Sequence, residues 1–97
     1  MIVLAKVTDR EKFQAYAEAV PGLVTKFGGR YVLQSRGLDL LEGDWCEDGS
    51  MVISEWPDRA TAQAFWNSPE YEDAKKLREG TGQFHVVLAD APQINVE

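Results

Sequence analysis

Phe27-Gly28-Gly29-Arg30-Tyr31 separates an amphipathic helical stretch from a β-rich one, and its reading decides the fold. A glycine at 28 or 29 can take the left-handed conformation that ends a helix, because it has no Cβ to clash. Arg30-Tyr31-Val32-Leu33-Gln34-Ser35 then begins the second strand at once. Upstream, Phe13, Tyr16, Ala17, Val20, Val24 and Phe27 recur at helical spacing and form one apolar stripe. Thr8-Asp9-Arg10-Glu11 matches a capping box, with the Thr8 hydroxyl and the Glu11 carboxylate satisfying the first backbone donors. Pro21 removes a donor and crowds the carbonyl four residues back, so a kink or break is expected near Val20. Residues 1–7 read as the first strand.

Downstream, Gly37 is expected to bend the second strand before Leu40-Leu41-Glu42, and residues 43–49 read as a turn. Residues 50–56 form the third strand, which Pro57-Asp58 stops while capping a helix over 59–67 that buries Ala62, Phe65 and Trp66. Ser68-Pro69-Glu70 starts a fresh helix with Tyr71, Ala74 and Leu77 on one face, and Gly80 ends it. Residues 83–89 are the last strand, followed by a short tail after Pro92. The order of periodicities is strand, helix, strand, strand, helix, strand. A βαββαβ order predicts an α+β, ferredoxin-like fold: a four-stranded antiparallel sheet with its helices on one face. One domain is expected over residues 1–97, with its core within about 1–90.

A sheet wet on one face alternates between apolar and polar residues. Here Val3, Ala5 and Val7 alternate with Ile2 and Leu4, and Phe84, Val86 and Leu88 with Val87 and Ala89. Both faces are largely apolar, yet the helices cover only one. A second copy of the chain is the economical cover, so a homodimer packed through its sheets is expected.

The charge balance narrows the partners. A net charge of -6 on 97 residues opposes nucleic-acid binding, which needs clustered Lys and Arg. The opening apolar run is too short to span a membrane and has no secretory pattern. Cys46 is the sole cysteine, so no disulfide framework exists and a reducing cytoplasm is the simplest setting. His85 is the sole histidine and nothing at metal-ligand spacing accompanies it, so no metal is expected.

Val20-Pro21, Phe27-Gly28-Gly29-Arg30-Tyr31, Leu41-Glu42-Gly43-Asp44-Trp45, Ser68-Pro69-Glu70-Tyr71 and Leu77-Arg78 occur in order along nearly the whole chain. Together they resemble the domain of unknown function 1330 family. The resemblance implies a dimeric α/β barrel of ferredoxin-like subunits and no established activity. The same superfamily includes small oxygenases and haem-degrading enzymes that work between sheet and helices. Trp66-Asn67-Ser68 resembles the region where some of them place catalytic groups. The haem-degrading branch has a histidine on the following helix, whereas this chain has Tyr71, Lys75, Lys76 and Arg78 there. No cofactor is therefore expected.

Arg30, Trp66 and Tyr71 are the candidate contacts for a small organic ligand, an acid among the options. Arg30 offers a planar fork for a carboxylate, or serves the fold by pairing with Glu42 or by donating to the carbonyls that end the first helix. Trp66 would line an apolar pocket or the core, as would Trp45 and Trp56, and the Tyr71 phenol would face the ligand or backbone. The rival reading is a cofactor-independent oxygenase or isomerase using Tyr71, His85, Glu42 or Glu55 for proton transfer. A third is an interaction domain whose interior is filled by its own side chains.

Overall fold

The computed structural model describes residues 1–90. Its elements run β1 (Ile2–Val7), α1 (Arg10–Lys26), β2 (Arg30–Arg36), β3 (Ser50–Glu55), α2 (Arg59–Trp66), α3 (Pro69–Lys76) and β4 (Gly82–Val87). The four strands form one antiparallel sheet in the order β2-β3-β1-β4, which is the ferredoxin-like topology. The tail expected after Pro92 lies outside the described residues.

The two central glycines have separate tasks. Gly28 takes φ +91° and donates to the Thr25 carbonyl, while the Gly29 amide reaches back to Val24 at 2.9 Å. These two bonds close the end of α1 as a Schellman motif. Gly29 also lies against the Trp56 ring, where a Cβ would come within 2.8 Å of the ring carbons. The same pair thus stops the helix and lets β2 start beside the end of β3.

Several local expectations are corrected. Asp9, not Thr8, caps α1 by accepting from the Lys12 amide at 3.0 Å. The Thr8 hydroxyl instead donates to the Thr81 carbonyl, tying the start of α1 to the start of β4. Of the kink or break expected near Val20, the break is absent: α1 runs through Pro21 as one helix. The proline is exposed, so its ring lies on the rim of the helix and not in the packed core. Residues 40–42 are loop, not a continuation of β2. The Leu38 amide donates to Gly49, and the Leu40 amide to the Glu47 carboxylate, so the segment closes on itself and never joins the ladder. Helix α3 ends at Lys76, a turn earlier than Gly80.

Ser68 caps α3 by accepting from the Tyr71 amide, and Asp58 caps α2 by accepting from the Thr61 amide at 2.7 Å. The buried core joins Val20 and Val24 of α1 to Phe65, Tyr71 and Ala74 of the two later helices. On the opposite side of the sheet, the 37–49 loop folds back so that Trp45 meets the His85 ring edge-on at 4.2 Å. Leu33 and Val87 of that face remain 41% and 56% exposed.

Candidate ligand site

The strand registers decide which side chains meet beneath α1. Across the sheet, Arg36, Ser50, Ala5 and Phe84 form one row, Gln34, Val52, Val3 and Val86 the next, and Tyr31 pairs with Ser54 beyond them. Two-residue alternation alone would put Tyr31 on the face opposite Gln34 and Arg36. The register shifts between Tyr31 and Leu33, leaving Val32 as an extra residue. This β-bulge turns Gln34 and Arg36 to the same side as Tyr31.

Between these rows and α1 lies a cavity of about 210 Å³. Its apolar wall includes Val3 and Val52 from the sheet, Phe13, Val20 and Val24 from α1, and Phe65 from α2. Three phenols reach it: Tyr16, Tyr31 and Tyr71. The Tyr16 and Tyr71 hydroxyls share a hydrogen bond of 2.9 Å, and their rings meet edge-on at 6.4 Å. Arg10, Gln34, Arg36 and three serines, Ser35, Ser50 and Ser54, are among the other polar residues that line it. No carboxylate and no imidazole is among the described residues that line it.

Burial pushes the Tyr16 hydroxyl well above the ordinary phenol value, and neighbouring Tyr71 adds to the effect while the Arg78 guanidinium opposes it. Burial, then Tyr71, raises Tyr31 as well. Removing water disfavours the charged phenolate, so these two groups stay protonated at neutral pH. They can donate a hydrogen bond to a ligand or accept one from it.

Of the residues singled out from sequence, Tyr71 lines the cavity and is almost fully buried. Trp66 stands behind it, its ring 5.1 Å from that of Tyr71, with the Lys75 ammonium 4.8 Å from the indole centroid. Arg30 lies outside the cavity and forms a 2.7 Å ion pair with Glu55, in which both side chains are largely exposed. Its partner is therefore Glu55 and not Glu42, because strand pairing puts Arg30 directly opposite Glu55. Glu42 is an exposed residue of the 37–49 loop. His85 points to the other face of the sheet, against Trp45. Among the described residues no group of three or more His, Cys, Asp or Glu could hold a metal ion.

Tyr16, Tyr31, Arg10 and Arg36 were not singled out by sequence. Tyr16 reads there as one more member of the apolar stripe, and Arg36 is hidden by the bulge.

A family model described as a domain of unknown function, number 1330, matches residues 1–92. No curated protein matches the chain. Among solved structures, the RPA0582 protein of unknown function from Rhodopseudomonas palustris is similar with a TM-score of 0.69 and 21% identity. That match covers 95% of this chain and 82% of the other. A methylated RPA0582 protein gives a TM-score of 0.62 at 18% identity, over 94% and 82% of the two chains. At these identities the likeness shows the fold alone.

Proposed function

This chain belongs to the family of the domain of unknown function 1330, and from its interior we propose that it binds a small organic molecule between α1 and the sheet. The observation that carries this reading is the cavity itself, apolar along its walls, with the Tyr16–Tyr71 phenol pair at its surface. Such a composition, mostly apolar with a few convergent polar groups, is typical of small-molecule sites. Its volume of about 210 Å³ lies below the roughly 300–1,000 Å³ of sites for drug-sized ligands, which suits a molecule the size of a single ring.

The lining favours binding over proton abstraction. A general base needs a group that is unprotonated near neutral pH and within reach of the substrate. The two phenols raised by burial are held protonated, and Glu42, Glu55 and His85 all lie elsewhere. Tyr71 would serve as a hydrogen-bonding contact, with Trp66 supporting its ring from behind.

The assembly we propose is a homodimer through the outer face of the sheet. Ile2, Leu4, Met51, Ile53, Leu33 and Val87 alternate onto that face by the strand register. Neither α1 nor the later helices reach it, and a second copy would bury it. Light scattering at micromolar concentration should give twice the monomer mass, and a monomer alone would refute the dimer. A reducing cytoplasm suits the free, buried thiol of Cys46.

Ligand binding is tested by titrating the isotopically labelled protein with benzyl alcohol, a neutral ring with one hydroxyl. Amide shifts should change first at Val3, Val52 and Tyr31. Tyr71→Phe should weaken benzyl alcohol roughly fivefold, the value of one net hydrogen bond, and leave toluene unaffected. Shifts confined to the outer surface would contradict the proposal.

A further inference from the structure

The cavity is electrically lopsided. Its Ser50–Ala5–Phe84 end is also the end with Arg36, last residue of β2, and Arg10, first residue of α1. The chain carries 16 acidic residues against 10 basic ones, so a surface arginine has many possible partners. Arg30 pairs with Glu55 and Arg59 with Asp90. Arg10 and Arg36, the two that line the cavity, form no ion pair among the described residues. Glu47 and Asp48 border the groove just outside with Arg10, and neither forms an ion pair with it; Glu47 accepts from the Leu40 amide.

Two further features add positive potential at this end. Arg10 occupies the first turn of α1, where the helix dipole is positive and a cation is disfavoured. Arg78 is buried, its Nε has no hydrogen-bond partner, and its guanidinium lies 4.3 Å from the Phe84 ring centroid and 5.4 Å from that of Tyr16. Those two rings are walls of the cavity, so a positive charge stands directly behind them. Arg78 is engaged by those two rings, but Arg10 and Arg36 stand at the cavity end beside a helix N-terminus with no carboxylate paired to either among the described residues. A bound anion would be their partner.

We propose that Arg10 and Arg36 form a carboxylate clamp, and that the molecule bound is a small monocarboxylate with a ring-sized apolar body. This rests on the binding role assigned to the cavity above. The guanidinium forks would take the carboxylate oxygens through charge-assisted hydrogen bonds at the cavity end. The body would lie inward against Phe13, Phe84, Val3 and Val52. Arg78 acts from behind the rings and does not touch the ligand.

The test compares three probes of similar size on the full chain by amide-shift titration: benzoate, its neutral isostere benzamide, and benzyl alcohol. Benzoate should bind at least roughly tenfold more tightly than benzamide, matching the value of a charged hydrogen bond. Arg10→Gln and Arg36→Gln, both at exposed positions, should each remove most of that preference, read as the ratio of benzoate to benzamide affinity within the same variant. Arg36→Lys should restore part of it, and added salt should weaken benzoate alone. If benzyl alcohol enters the cavity but benzoate and benzamide bind equally, the clamp is refuted and the cavity reading stands. If no probe perturbs the cavity amides, both are refuted.

Discussion

Gly29 is the residue whose substitution most directly tests how the chain turns from α1 into β2. The Trp56 ring that a Cβ would strike is held by its own indole hydrogen bond to the Ser54 hydroxyl at 2.9 Å, so it cannot easily move aside. Gly29→Ala should cost about 1–3 kcal/mol, the usual range for overpacking, as read by urea unfolding. Arg30→Gln next to it should cost under about 1 kcal/mol, because its ion pair is exposed. The tyrosines allow a second test. Tyr16 and Tyr31 are raised in the folded state, so their contribution to stability is present below the unfolded phenol value of about 10. It is lost as pH rises beyond that value, since the unfolded chain then releases protons the folded chain retains. Stability should fall on the alkaline side, and Tyr16→Phe should lessen the fall.

At the scale of elements, caps and periodicity were legible and side-chain direction was less so. Gly28-Gly29, Asp58 and Ser68 have fixed chemical tasks at element ends, and the structure uses them as the sequence suggested. Thr8 and Asp9 compete for the same cap, and the choice turned on Thr81, a contact 73 residues away that no local pattern contains. Strand β2 was readable in extent but not in orientation, because the bulge at Val32 reverses the parity that places Gln34 and Arg36 in the cavity. The expected Arg30–Glu42 pair failed for a related reason: the 37–49 loop carries Glu42 away while antiparallel pairing brings Glu55 across. Asp58 gives a pH test of an element. Hydrogen bonds from Thr61 hold its carboxyl below the ordinary value, so its stabilising effect exists above an unfolded value of about 3.9. The effect is lost as pH falls through the lower folded value. Asp58→Asn should make the acid limb of the stability profile shallower in that window, measured by thermal unfolding across pH.

For the whole molecule, a two-layer fold leaves one apolar sheet face only partly covered, by the 37–49 loop, and a cavity beneath the other. The first feature underlies the proposed dimer and the second the proposed ligand. The fold was legible because a βαββαβ order, observed as βαββααβ with the second helical stretch divided into α2 and α3, admits few arrangements of a small antiparallel sheet. The cavity was not, because it depends on how far α1 stands from the sheet and on three tyrosines drawn from three separate elements. A crystal structure of the protein soaked in benzyl alcohol tests the central claim most directly. The ring should appear between Val20, Val3 and Val52, with its hydroxyl in hydrogen-bonding distance of Tyr16 or Tyr71. A cavity closed by repacked side chains, or left empty while the alcohol occupies other sites, would contradict it.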